Sequence, residues 1–144
     1  MTTLHVAFKV GNAEYVVSAD QVLHLETYTQ ATHIPGAPAF VAGLVQVRGK
    51  LVPVIDLRTR FGLAPGEHNL DSRVIVVRIG QRTAGLLVDS ARDVLRLDES
   101  SFQPPPDLVE VQAAGFVKAV TTVASRLLLV VDVQRVIGEE VAHA

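Results

Sequence analysis

The chain has no cysteine among its 144 residues. That excludes disulfides, thiolate nucleophiles and cysteine metal sites, and it points to a reducing compartment. Charge is sparse, at 19% of residues with a formal net charge of −2. The chain therefore lacks the basic face that phosphate backbones demand, and no nucleic acid is expected as a partner. Five Phe and two Tyr are too few for a base-stacking platform. Long apolar runs are missing too. The longest purely aliphatic one is 127-LLLVV-131, where a membrane span needs about 20 residues, so no direct membrane insertion is expected. The opening MTTLHVAFKVG has no basic stretch leading into an apolar core, and so no visible signal peptide.

Catalytic and cofactor motifs are equally scarce. No serine sits in a G-x-S-x-G elbow, and the glycines form no phosphate cradle. His5, His24, His33, His68 and His143 are scattered, with no pair at ligand spacing, so neither a metal nor a cofactor is expected.

What the chain does have is valine and short apolar runs. Hydrophobic residues make up 49% of it, and a chain of this length buries about 70% of its unfolded surface, enough to fold without a staple. The apolar runs last four to eight residues before Gly, Pro or Asp interrupts them, which is strand spacing. Ten strands are expected, near 4–10, 13–18, 22–28, 44–48, 51–55, 72–79, 83–88, 94–98, 116–123 and 126–131. Gly11-Asn12, Gly49-Lys50 and Gly80-Gln81 read as hairpin turns.

The pattern comes twice. The stretch 8-FKVGNAEYVVSADQVLHLE-26 echoes 77-VRIGQRTAGLLVDSARDVLRLD-98. Further on, 50-KLVPVIDLRTRFG-62 echoes 126-RLLLVVDVQRVIG-138 without a gap, from Lys50 on Arg126 to Gly62 on Gly138. Two copies of this size imply an all-β fold of two small five-stranded barrels around a shared core, with short helices after strands. The expected organisation is one domain of two subdomains, about 1–70 and 71–138, with an exchange of strands between them left open. Asp56 and Asp132 read as N-caps of the short helices, with Gly62 and Gly138 at their ends. Asp20 and Asp89 read as turn caps at matching places in the other unit.

Paired aspartates from two halves of a duplicated β protein do form one known kind of active site, in which two carboxylates share a proton. That chemistry needs a small hydroxyl residue and Gly after each Asp. Here Leu57-Arg58 and Val133-Gln134 follow, so capping is favoured over an aspartate-dependent hydrolase and no catalytic residue is assigned.

The halves differ where the first carries 47-VRGKLVP-53. The second half has Ala124-Ser125 in place of Arg48-Gly49, and Leu129 in place of Pro53. Pro53 cannot donate to a ladder and is expected on an edge strand or at a bulge. Arg48 at the turn reads as a docking cation, as a structural salt-bridge partner, or as both. The run 104-PPP-106 reads as a stiff connector.

The block 34-IPGAPAFVAGLVQVRGKLVPVIDLRTRFG-62 closely resembles the signature of the bacterial chemotaxis coupling proteins, the CheW family: Ile-Pro, a short Pro-x-Phe helix, Gly, a strand, Asn-x-Arg-Gly, Pro and Asp-Leu-Arg. The segments 74–97, 102–106 and 126–138 resemble its later blocks, so the likeness runs from about residue 4 to 138. The resemblance implies a non-enzymatic cytoplasmic adaptor recruited to membrane-bound receptor arrays. It would couple the cytoplasmic tips of chemoreceptors (methyl-accepting chemotaxis proteins) to the regulatory domain of a CheA-type histidine kinase. It implies that Val22 and Val94 line a receptor groove, with His24 on the same strand as Val22 and Gly43 beside it. It places Arg48 and Gly49 in a turn that is structural or interfacial, and Leu51 and Pro53 on an edge offered to the kinase. The chain departs from the family's pattern in three places. Gln46 stands for the usual Asn, His24 for a common acidic residue, and Ala124-Ser125 for a common Asp-Gly, a pair less suited to a positive-φ turn. These departures motivate an alternative, a specialised relative that serves a non-flagellar pathway or competes with the ordinary adaptor. By length the chain reads as a stand-alone adaptor or as a piece of something longer.

Overall fold

The computed structural model describes residues 1–107 and 115–142, and side chains through Gly138; His143 lies outside the described residues. The strands are β1 (Thr2–Val10), β2 (Ala13–Ser18), β3 (Val22–Thr27), β4 (Val41–Val47), β5 (Lys50–Asp56), β6 (Arg73–Ile79), β7 (Arg82–Val88), β8 (Ser90–Asp98), β9 (Val117–Val123) and β10 (Arg126–Val131). A one-turn helix α1 (Leu57–Arg60) follows β5, and α2 (Val133–Ala142) follows β10. Gly138, at φ 65°, breaks α2. The Pro-x-Phe segment expected as a short helix is a turn, with Val41 N donating to Pro38 O at 2.9 Å.

The strands form two five-stranded sheets, in the orders β8-β1-β2-β10-β9 and β3-β6-β7-β5-β4. The first sheet therefore gathers the two ends of the chain, and the second its middle. Each sheet curls back on itself without closing a ladder. The segment after β3 meets the opposite edge through one bridge, Thr32 with Leu44, whose two bonds are both 2.8 Å. The segment after β8 does the same in the first sheet through Gln103 and Val120, at 2.9 and 2.8 Å. The expected barrels are thus two curled, open sheets.

Alternation distributes the side chains among three apolar clusters, because successive residues of a strand face opposite sides. Phe8 and Val10 of β1, Tyr15 and Val17 of β2, Ile75 and Val77 of β6, and Leu86 and Val88 of β7 meet in a core shared by both sheets. Val52, Val54, Val74, Val76 and Leu87 pack on the other face of the second sheet. Ala7, Val16, Leu97, Leu128 and Val130 do so in the first. Inner strands buried on both faces read as near-continuous apolar runs.

The repeat is visible in the backbone. Asp56 N donates to Phe40 O, and at the matching place of the second copy Asp132 N donates to Phe116 O, both at 2.8 Å. Arg60 links the halves at this point. Its guanidinium lies 3.8 Å from the Phe40 ring centroid and 4.8 Å from that of Phe116, and its Nε donates to Val136 O at 3.0 Å. This places a cation on two aromatic faces and satisfies a carbonyl near the end of the first part of α2.

Candidate protein interface

The stretch 47-VRGKLVP-53 is the tip of the β4–β5 hairpin. Val47 pairs with Lys50, so the two-residue loop is Arg48-Gly49, one position before the Gly49-Lys50 turn expected from sequence. Both residues have positive φ, 50° and 83°, the geometry whose twist matches two flanking strands. Ala124 and Ser125 adopt the same turn in the other sheet, at 51° and 67°. The composition that argued against this turn is overridden by the register of β9 and β10 on either side.

Pro53 is not on an edge strand. β5 lies between β4 and β7, and the edge is β4. Proline is accommodated because the parallel ladder with β7 starts only at Val54, opposite Gly85. From Lys50 to Pro53 the strand pairs with β4 alone, so its other side has no ladder partner there. Leu51, 67% exposed, lies on this arm.

Arg48 is 69% exposed and reaches Glu26 on β3, Nε to Oε1, at 3.6 Å. β3 and β4 are opposite edges of the same sheet, so this pair spans the gap between them. Below it lies a cavity of about 360 Å³ lined by Glu26, Thr27, Val45 and Val47. An exposed pair of this kind contributes about 0–1 kcal/mol. A second cavity, of about 290 Å³, brings Arg48 together with His24, Lys50, Leu51 and Arg78.

The residues that the resemblance assigned to a receptor groove have different surroundings. Val22, on the edge strand β3, is half-buried and packs against the shared core. His24 is half-buried opposite Val76. Val94 is 63% exposed on β8, an edge of the other sheet, opposite Val6. Gly43 is buried at a bulge of β4 with φ +146°. A Cβ there would stand 2.2 Å from Thr32 O, so a bare glycine is required for the Thr32–Leu44 bridge to form.

Asp56 Oδ1 accepts from Arg58 N at 3.0 Å, and its Oδ2 lies 3.8 Å from His68 Nε2. Asp132 Oδ1 accepts from Arg135 N at 3.3 Å. Each carboxylate is thus engaged in the first turn of its own helix. Asp89 does more than cap a turn. It accepts Gly11 N at 2.8 Å and both Nε and Nη2 of Arg58, at 2.9 and 2.7 Å. The bonds to Asp89 push the Arg58 guanidinium above its ordinary pKa. Asp20 instead lies within a 3-10 turn whose cap is Ser18.

Sequence reasoning missed Glu26, Lys50 and Arg78. The period-2 alternation of β3 carried a usable signal for Glu26, since residues 24 and 26 share a face. Among the described residues, no cluster of His, Asp and Glu is arranged to hold a metal, and no helix is long and apolar enough to cross a membrane.

The protein is thus a two-sheet β fold with an exposed hairpin tip, whose paired aspartates are spent on helix caps. Residues 5–141 match the family model of the CheW-like domain, and the chain belongs to that family. It is 32% identical over 139 residues to the chemotaxis protein CheW of Rhizobium meliloti, covering 96% of this chain and 90% of the relative. It is also 32% identical over 133 residues to CheW of Klebsiella aerogenes, covering 92% and 80%. The crystal structure of the scaffolding protein TtCheW from Thermoanaerobacter tengcongensis superposes with a TM-score of 0.87 at 30% identity, over 98% of this chain and 91% of that one. The family is one of chemotaxis scaffolds and adaptors, not of enzymes.

Proposed function

We propose that this protein is a chemosensory adaptor that joins chemoreceptor tips to the regulatory domain of a CheA-type histidine kinase, in the cytoplasm, at membrane-bound receptor arrays. The observation that carries the reading is the β4–β5 arm, with Leu51 exposed and one side of residues 50–53 without a strand partner. An apolar arm with an open backbone side suits docking against another β domain. Val22, His24, Gly43 and Val94 are the receptor-side candidates, and Arg48, Gly49, Leu51 and Pro53 the kinase-side ones. Each interface is small and weak by itself, below about 1,200 Å². Repetition in an array supplies the avidity.

Co-sedimentation tests this reading. The protein, the kinase from the same organism and a receptor signalling fragment templated on vesicles are pelleted together, with kinase activity read in parallel. Pelleting with a rise in kinase activity is expected; failure to bind both partners sinks the reading. A second reading is favoured by His24, which puts imidazole where the family commonly carries an acid. In that case the protein serves a non-flagellar pathway or competes with the ordinary adaptor, and it pellets with receptors while leaving the kinase inactive.

A further inference from the structure

The two sheets repeat one another, so their corresponding ends can be compared position by position. The β1–β2 hairpin matches β6–β7, with Gly11 on Gly80, and β4–β5 matches β9–β10, with Val47 on Val123. Ladder register completes the match. Asp93 pairs with Ala7 and His24 with Val76, and Val76 is the counterpart of Ala7.

At the end of the first sheet the charges compensate one another. Arg126 holds Glu14 through Nε at 3.1 Å and through Nη2, and reaches Asp93 at 3.4 Å. These contacts push its pKa above the ordinary value, with Glu14 the main cause. Lys9 and Arg92 line the same cavity, and Arg92 is held by Asp71, Nη2 to Oδ1, at 3.0 Å.

At the matching end of the second sheet, Lys50 stands for Arg126 and Arg78 for Lys9. Thr83 stands for Glu14, and His24 for Asp93. Two of the three bases are kept, Leu23 stands for Arg92, and both carboxylates are gone. Arg48 adds a third permanent cation to the same cavity. Among the described residues, Lys50 and Arg78 meet no carboxylate within 4.0 Å; Arg78 donates to its own turn, Nε to Gly80 O, at 2.9 Å. The acid bonded to the group is Glu26, 3.6 Å from Arg48. The chain as a whole carries −2, so this local excess of positive charge is not a general basicity. Exposed Leu23 and Leu51 line the same cavity as the cations.

We propose that Arg48, Lys50 and Arg78, with Leu23 and Leu51 between them, form a docking site for an acidic segment of the partner kinase, one that interleaves carboxylates with apolar residues. This rests on the adaptor reading above and names the chemistry of the surface that the hairpin arm meets. Partner carboxylates supply the countercharge that Glu14 and Asp93 supply internally in the other sheet, while the two leucines provide apolar burial. Charges of this kind speed encounter and select the partner, and their effect is screened by salt.

The test is the affinity of the full-length kinase for this protein, by interferometry, at about 50 and about 300 mM NaCl. The proteins compared are the parent, Lys50→Glu/Arg78→Glu, Lys50→Gln/Arg78→Gln, and Lys9→Glu at the corresponding position of the other sheet. Thermal melts confirm that each variant is folded. Binding by the parent is expected to weaken steeply with salt. The double reversal is expected to lower affinity about tenfold or more at low salt and to flatten the salt dependence. The Gln pair is expected to fall between, and Lys9→Glu to match the parent. If the kinase binds all four proteins equally with an unchanged salt slope, the acidic-segment proposal is wrong and the coupling reading stands. If the parent binds neither the kinase nor the receptor fragment at either salt, the coupling reading itself falls and takes the proposal with it.

Discussion

Arg58 grips Asp89 with two parallel N–H···O bonds, of 2.9 and 2.7 Å, bringing α1 onto the end of β7. Asp89 N in turn donates to Lys9 O at 2.9 Å, and Gly11 N donates to the same carboxylate. One side chain thus ties α1, the β1–β2 turn and the β7–β8 junction, where the chain crosses from one sheet to the other. Both partners are about three-quarters buried, between the regime of surface pairs and that of buried ones. A double-mutant cycle of Arg58→Leu and Asp89→Asn is expected to give a coupling energy of about 1–2 kcal/mol in urea unfolding. A value near zero shows that water replaces the pair.

Gly43→Ala is expected to destabilise by about 2–4 kcal/mol, because the new methyl meets the Thr32 carbonyl and φ +146° disfavours any side chain. Ala119, which occupies the matching place on β9, gives the control. Ala119→Gly is expected to cost about 1 kcal/mol, from the entropy of glycine and the loss of a half-buried methyl. Equal losses in the two variants contradict the steric account.

Ala124 and Ser125 hold positive φ without the glycine or asparagine that makes it easy. A non-glycine residue in this region costs about 1–2 kcal/mol. Replacing the pair by Asn-Gly is expected to raise stability by about 1 kcal/mol, or roughly 3 °C in Tm. An unchanged melting temperature means that the strain is relieved elsewhere in the hairpin.

The doubled strand pattern and most turns were legible in the sequence, because Gly-Asn and Gly-Gln mark two-residue loops and alternation marks strands locally. What failed was what depends on neighbours distant in sequence. The repeat read from sequence ends each copy on an acid, Glu26 and Asp98, which sets Val22 against Val94. The ladders instead place Leu25 opposite Ile75 and Val94 opposite Val6, so Leu25 is the residue that matches Val94. Each edge pairing carries a bulge at the same place of the repeat, at Leu23 and at Arg92, so the two copies keep one offset throughout, and the bulge decides which side chains face outward. Pro53 failed for a related reason. A proline reads as an edge, and nothing local announces that the parallel ladder with β7 starts only at the next position. The cations of the candidate site lie on β5, β6 and the hairpin tip, and only the sheet order brings them together.

Tyr15 packs in the shared core between Phe8 and Phe61, with ring centroids at 5.7 and 5.0 Å. Burial disfavours its phenolate and raises its pKa above the ordinary value. The folded protein therefore keeps this proton at pH values where the unfolded chain has lost it. Stability from this group is fully present below about pH 10 and is lost as pH rises through the raised pKa. Tyr15→Phe keeps the ring and removes the proton. Melting temperatures followed from about pH 8 to 11 are expected to decline more steeply for the parent than for the variant. Parallel curves show that Tyr15 does not titrate with unfolding.

Arg48 separates stability from binding. Its ion pair with Glu26 lies at 3.6 Å with the cation largely in solvent, so Arg48→Ala is expected to change unfolding free energy by less than about 1 kcal/mol. Gly49 beside it supplies half of the positive-φ turn unaided, and alanine at the matching Ala124 already tolerates that conformation. The hairpin therefore survives the substitution. Kinase affinity is expected to fall, and more at low salt than at high, because a cation is lost from the face that meets the partner. Glu26→Gln provides the opposite perturbation. It releases Arg48 from its internal partner at similarly small cost and is expected to strengthen binding. A large loss of stability in Arg48→Ala with unaltered affinity per folded molecule assigns this arginine to bracing the sheet edges and removes it from the interface.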